Sequence, residues 1–499
     1  MSMERSAEEL HAKTCVDRGW PLETFDQTGW GKMELEARIR GHAVRIAAGA
    51  KAIDHWGGDA EVGCIVIDGQ TYAVPQWALD HARRIAGSIV RSAVWQQCLT
   101  TLNVDRVVAM FEEAEFDLKQ LALIPEDLVL VRMLGSPNNA CVHYRINQPA
   151  AWLNRAQKTG GGSLWIDRGA ALEMVSASKF DMIVAPRLVD LHYLTMFQAL
   201  QLQGVAIVYE TDDLLSQVPE YNPHRVHATR AAAEVRAQIV DMADALFVST
   251  PELRDALGYP DKTFVLPNAI DTETWRTHER AVEAPDRTPV TIVWQGSPTH
   301  SEDLKVAVPA LKRILARFKS QVRLAFWGDV PEAFLTSVDK QGRRRVAPKW
   351  QGQIMLMPPC DIGEFPERYI EADVDIAIAP LVENPFNQSK SELKVLEAWA
   401  RGIPVVASAV APYLRAIDHN VNGLIARDTH EWVTELVRLI GKPSERVRLA
   451  EAGRKKLHDR YTMDRMALEY ERTILTVVAG QVKRPAAAAT IERRLKELS

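Results

Sequence analysis

Cysteine is scarce in this 499-residue sequence: there are five, Cys15, Cys64, Cys98, Cys141 and Cys360. They are odd in number, scattered and without any C-x-x-C spacing, which argues against a disulfide framework or a zinc site and points to a reducing, cytoplasmic setting. Long apolar runs are missing as well. No stretch of about 18 apolar residues occurs, so no membrane-spanning helix is expected. The opening MSMERSAEELHAK is charged throughout and lacks the apolar centre of a secretion signal. Charge of one sign is not in excess either: 60 Lys and Arg against 65 Asp and Glu leave a net −5, with no global attraction to nucleic acid or membrane. Finally, neither G-x-x-x-x-G-K-[ST] nor G-x-G-x-x-G is present, which removes two common phosphate-binding loops. Neither a metal nor a cofactor is expected.

What is present describes a globular protein of more than one core. Hydrophobic residues make up 47% and charged residues 25%, and the length calls for two or three domains. Residues 1–122 read as a separate, mainly helical region, with helical periodicity over 33–56 and 75–102 and a hairpin between them turning at Asp68-Gly69. His81, Arg83, Arg84 and Arg91 form a basic helix face there. From about Leu128, short apolar strands alternate with helices, the pattern of a doubly wound parallel sheet. A polar linker, 276–289, interrupts the series, which then restarts. The expected organisation is an accessory region 1–122, a Rossmann-like domain 123–280, a second one 281–460, and a crossing helix with a charged tail, 461–499, whose alanine run after Lys483 reads as a loose linker.

In such sheets ligands sit beyond the carboxyl ends of the strands. Three of those loops are chemically loaded. Glu210-Thr-Asp-Asp follows one strand, and its acids read as metal ligands, a general base or helix caps. Gln295-Gly-Ser-Pro-Thr-His follows another, where Gly296 and Ser297 can let backbone N–H groups approach a phosphate. The third is NPFNQSKSELKVLEAWARGIPVVAS, residues 384–408. Ser389 or Ser391 is the expected cap of its helix, and Gly402 the expected stop. Free N–H groups with Lys390 and Lys394 would attract phosphate, and Glu397 lies two turns beyond Lys390 on the same face, suited to ribose hydroxyls. Asp373-Val-Asp375 reads as structural, since it precedes its strand.

The segment SKSELKVLEAWARGIPVVAS resembles the donor-binding signature of the retaining, nucleotide-sugar-dependent glycosyltransferases of the GT-B fold, family four. ALFVSTPELRDAL from Ala245, VLPNAID from Val265, WQGSPTH from Trp294 and the stretch Tyr413 to Ile425 fall in the family's order, over roughly 128–470. The resemblance implies an α/β, GT-B architecture of two Rossmann-like domains facing a cleft. It implies that Glu397, matching the second glutamate of the family's Glu, seven residues, Glu motif, holds the donor ribose. The first glutamate is replaced by Ser389, so the sugar contact falls to Ser389, Lys390, Asn387 or backbone. Gly296, Ser297, Lys390 and Lys394 would hold the diphosphate in place of a metal, with Ser391 in the same donor-binding stretch. Asp212, Asp213 and Lys390 are then the catalytic candidates, the acids on the acceptor hydroxyl; His143 and His192 are weaker ones. The implied reaction moves a sugar from a UDP-, GDP- or ADP-sugar to an acceptor hydroxyl with retention, the acceptor being a glycan or glycoconjugate. Two alternatives are transfer to hydroxymethylated pyrimidines in DNA, using the N-terminal helices and the basic run Arg343 to Lys349, and non-catalytic nucleotide-sugar binding.

Overall fold

A computed structural model describes residues 124–499, apart from 136–139, 160–161, 170–176, 189–190, 223–224, 226–228, 279–280, 283–286, 339–343 and 480–484, together with two strands at 62–67 and 70–75. The helices expected over 33–56 and 76–102, the basic face from His81 to Arg91, the turn Asp68-Gly69, Arg343 and the side chain of His192 lie outside the described residues. Among the described residues, no helix is long and apolar enough to cross a membrane.

The chain divides into two compact units. One comprises 1–128, 171–181 and 190–205 and contains the expected hairpin, β1 (Val62–Ile67) antiparallel to β2 (Gln70–Pro75) with Ile67 opposite Gln70, and a helix, Leu191–Gln201. The other comprises 129–170, 182–189 and 206–499 and holds two parallel six-stranded sheets.

The first sheet contains β3 (Val129–Leu134), β4 (Leu164–Gly169), β5 (Met182–Pro186), β6 (Ala206–Thr211), β7 (Ala245–Val248) and β8 (Thr263–Val265), in the order 4-3-5-6-7-8. The second contains β9 (Val290–Gly296), β10 (Val322–Gly328), β13 (Ile354–Met357), β14 (Ile376–Ala379), β15 (Val405–Ser408) and β16 (Leu424–Ala426), in the order 13-10-9-14-15-16. A small antiparallel pair, β11 (Leu335–Val338) and β12 (Arg344–Val346), lies between β10 and β13 in the chain. All neighbours in the two large sheets are parallel. Strands such as β3, β6 and β15 are buried at every position, which is why they read as predominantly apolar runs, VLV, AIVY and VVA. The fold is therefore the expected pair of Rossmann-like domains.

Two departures from the sequence reading have clear causes. Strand β4, LWIDRG, is absent from the apolar series; it is an edge strand whose Asp167 and Arg168 interrupt the apolar run, and Asp167 pairs with Arg132 of β3 at 3.1 Å. The alanines after Pro485 are not a linker but the start of a helix, Pro485–Leu498, as suits the strongest helix former. That helix and Met463–Val478 pack on the first sheet through Met466, Tyr470, Ile474, Leu475 and Ile491. Buried Glu471 ties them down, accepting from the Ser163 N–H at 3.0 Å and from Arg494 at 2.9 Å.

Each sheet has one place where chain order reverses: between β3 and β5 in the first, between β9 and β14 in the second. Loops leaving such neighbouring strands diverge to opposite faces and open a crevice at the carboxyl edge. In the second sheet the crevice is tight at the backbone. Gly328, which ends β10, has φ +105°, and a Cβ there would stand 2.2 Å from the Gly296 carbonyl oxygen. Gly328→Ala is therefore expected to cost about 2–4 kcal/mol through backbone strain and overlap. A thermal midpoint equal to the parent's would refute the requirement.

Candidate functional site

A cleft of about 490 Å³ lies where the carboxyl edges of the two sheets meet. From the first sheet it is lined by Cys141 and Tyr144, beyond β3, and by Asp212 and Asp213, directly after β6. From the second it is lined by Gly296, Ser297 and His300, after β9, and by Lys390, Ser391, Lys394 and Glu397, beyond β14. Trp327, Cys360, Ile362 and Phe365 form an apolar end.

The segment 384–401 folds differently from expectation at its start. Asn384 caps a short helix, Pro385–Gln388, by accepting from the Asn387 N–H at 2.8 Å. Ser389 ends that helix, and its hydroxyl donates back to the Pro385 carbonyl at 3.1 Å. Ser389 thus cannot cap the second helix, Leu393–Arg401. Glu392 occupies that cap position without a side-chain capping bond, its carboxylate accepting from Arg415 at 2.6 Å, and Ser391 instead accepts from Asn268 at 2.8 Å. The physical reason is that Asn-Pro itself starts a turn of helix, which consumes the serine. Ser389 is 4% exposed and is not among the residues lining the cleft. Gly402 ends the second helix as expected, at φ +82°.

Glu397 sits one turn into that helix with Val395, Leu396, Ala398 and Trp399 buried around it. Its carboxylate is 6% exposed and accepts from Tyr144 at 2.9 Å and Gln295 at 3.2 Å. Burial raises its pKa, against the opposing pull of Lys394 and the two donors. Lys390 lies over the Phe386 ring at 4.3 Å and donates to Asp213 at 2.9 Å. Burial works against its ammonium, but Asp213 outweighs burial and its pKa is raised. Lys394 has no hydrogen-bonding partner among the described residues, and burial lowers its pKa. At the start of a helix, such cations with the free Leu393 and Lys394 N–H groups make an anion-binding wall.

The acids after β6 are not helix caps. Asp213 is bound by Lys390 and, at 2.8 Å, by Arg187, which also grips Asp212. Burial would raise the Asp213 pKa, but Lys390 and Arg187 hold it well below the ordinary value. Glu210 is withdrawn from the cleft: it is fully buried and pairs with Arg145 at 2.5 Å. Arg145 also donates to the Leu266 carbonyl and to Asn268, 3.2 Å away. A chain therefore runs Glu210, Arg145, Asn268, Ser391 from one sheet's edge to the other's. His143 bonds Gln148 at 3.0 Å, and Asn387 is buried on Asp303 at 2.7 Å. Asp375 accepts from the Thr291 N–H at 2.7 Å, in keeping with a structural role.

Four residues at or behind the cleft are not singled out by the sequence reading: Tyr144, Asn268 and His300, which line it, and Arg187, which holds its acids. Tyr144 lies on a π-helical turn, His143–Asn147, a distortion that re-aims side chains. Arg187 has φ +52°, an uncommon backbone for arginine, immediately after β5. Two of them do have a signal: Asn268 lies in the stretch VLPNAID, and His300 in the loop just after β9. Among the described residues, no cluster of three or more His, Cys, Asp or Glu side chains is arranged to hold a metal.

Residues 289–442 match the family model of the glycosyl transferases group 1. The matched span contains Gly296, Ser297, His300, Lys390, Lys394 and Glu397. A curated relative described as an uncharacterized glycosyltransferase of Methanocaldococcus jannaschii is 24% identical over 182 residues, 36% of this chain and 43% of that one. The D-inositol 3-phosphate glycosyltransferase of Frankia alni is 26% identical over 230 residues, 44% of this chain and 51% of that one. The chain thus spans about half the length of these relatives. Among solved structures, sucrose-phosphate synthase from Thermosynechococcus elongatus superposes with a TM-score of 0.49 at 14% identity, covering 70% of this chain and 100% of that one.

Proposed function

We propose that the protein is a retaining glycosyltransferase, moving a sugar from a nucleotide sugar to an acceptor hydroxyl of a glycan or glycoconjugate. The observation that carries the reading is the wall formed at the β9–β14 crevice by Lys390, from the bend before the helix Leu393–Arg401, and by Lys394 and Glu397 on that helix, facing Asp213 from the other sheet. Glu397 takes the ribose hydroxyls, and the lysines with the helix N–H groups take the diphosphate. As the glycosidic bond to the donor breaks, negative charge develops on the leaving diphosphate, where these groups stand ready to stabilise it. Asp212 and Asp213 lie on the opposite wall, where the acceptor hydroxyl enters. Gly296 and Ser297 complete the phosphate side. With Ser389 turned into its own helix, the sugar end falls to Lys390 and to backbone. The retaining outcome rests on the resemblance of the 389–408 segment to the family-four signature.

The direct test is calorimetric titration of the full chain with UDP-, GDP- and ADP-sugars, then NMR of the product. Micromolar to millimolar affinity for one donor and a product of the donor's own anomeric configuration are expected. No affinity for any of them would remove the reading.

A further inference from the structure

We propose that His300, held by Asp303, is a donor-binding residue that takes up a proton when the diphosphate arrives. The inference rests on the nucleotide-sugar reading and adds a third phosphate contact to the two lysines. Its ground is geometric. His300 lines the cleft beside Ser297, and its Nδ1 lies 2.8 Å from Asp303 Oδ2. Asp303 cannot turn away: it is 2% exposed, and its Oδ1 accepts from the Val382 N–H at 3.0 Å and from Asn387 at 2.7 Å. A carboxylate so fixed accepts the imidazole proton at Nδ1, which leaves the lone pair on Nε2, without a protein partner among the described residues.

The groups facing His300 from each side decide its charge. Burial, Lys394 and Lys390 favour the neutral ring and, against Asp303, push its pKa down to about 4. Asp213, on the opposite wall, feels His300 as well. A bound diphosphate reverses this balance. It neutralises both lysines and sets phosphate oxygens opposite the Nε2 lone pair, an arrangement that is repulsive until Nε2 gains a proton and becomes a charge-assisted donor. The proton comes from solvent, and no bond to the donor changes. Asp303 is the positioning residue, fixing which nitrogen faces the phosphate.

Proton uptake gives the pH dependence a definite sign. The free pKa lies near 4 and the bound pKa above it, so between those values donor affinity falls as pH rises, by up to about tenfold per unit. The other titrating groups are told apart from His300 by the sign of the exchange or by the variant. Glu397, its pKa raised by burial, would release a proton to solvent on accepting hydrogen bonds from the ribose hydroxyls, rather than take one up. Lys394, its pKa lowered by burial, would take one up as well, and His300→Gln, which keeps Lys394, tells the two apart. The phosphates of a nucleotide sugar are diesters and carry no proton near neutrality.

The experiment titrates the full chain with UDP-glucose, ADP-glucose and GDP-mannose at about pH 5.5–7, near the ordinary imidazole value, in paired buffers of unlike ionisation enthalpy. Uptake of a substantial fraction of one proton per donor is expected, vanishing in His300→Gln, with Asp303→Asn reducing it. Binding without proton exchange in the unaltered protein overturns the inference and leaves the donor reading intact; so does equal uptake by His300→Gln. No binding of any nucleotide sugar overturns the donor reading and this inference with it.

Discussion

Replacing Glu397 by alanine is expected to weaken nucleotide-sugar binding by roughly 30- to 1,000-fold, because two hydroxyl-to-carboxylate hydrogen bonds of about 1.5–3 kcal/mol each are lost, with incomplete additivity. Alanine would also leave the Tyr144 hydroxyl and the Gln295 amide without their acceptor, so part of the effect would be a disturbed cleft. Glu397→Gln separates the two. It keeps the volume and one acceptor oxygen while removing the charge, and it should lose most of the affinity with the fold intact. The pH dependence of stability gives an independent check. The folded pKa of Glu397 is raised, chiefly by burial. Its contribution to stability is therefore complete below the unfolded value of about 4.3 and is lost as pH rises through the folded value. The glutamine variant should lack that decline. Ser389→Ala is the contrast: it removes one bond to the Pro385 carbonyl, about 0.5–1.5 kcal/mol of stability, with donor affinity within about threefold. Equal and small effects of Glu397→Gln and Ser389→Ala on Kd would refute the site.

The two variants also mark what a sequence can disclose. Lys394 and Glu397 are legible because helix periodicity alone puts them on one face, three residues apart; Lys390 precedes the helix Leu393–Arg401 and reaches the cleft from the bend between two helices, not from two turns along the same one. The parallel sheets are legible because strands such as β3 and β15, buried on both faces, leave mostly apolar runs. β4 is not, since an edge strand needs only part of its length to be apolar. Nor can spacing show that Tyr144 reaches Glu397 across 253 residues of chain, or that Asn268 reaches Ser391 across 123. Those contacts exist only once two sheet edges meet. The error over Ser389 is of another kind. Local rules permit two caps, and the Asn384-Pro385 turn, upstream in the chain, takes the serine first.

Lys390→Met should lower turnover by about 10²–10³, the usual consequence of removing one group that stabilises developing charge in a closed site. It should also destabilise the fold by about 2–4 kcal/mol, less than the full cost of orphaning a buried carboxylate. Asp213 would still keep Arg187 at 2.8 Å, while the contact of the ammonium with Phe386 is lost too. Asp213 thereby serves two states. Without donor it neutralises Lys390; under the proposed function the diphosphate would claim the ammonium, leaving Asp213 to Arg187 and the acceptor hydroxyl. The double variant Lys390→Met, Asp213→Asn decides whether stability and turnover are separate. It removes both members of the pair, so the orphaned charge disappears and the thermal midpoint should recover by most of what Lys390→Met lost. Turnover should not recover, because the diphosphate still lacks its cation. Asp213 is held ionised by Lys390 and Arg187 against burial. Its stabilisation is thus complete above the ordinary carboxylate value of about 3.9 and fades only as pH falls below it. The loss in Lys390→Met should accordingly be constant from about pH 5 to 8. Recovery of turnover together with stability in the double variant would mean that Lys390 is a structural counter-ion to Asp213 and not a phosphate-binding group.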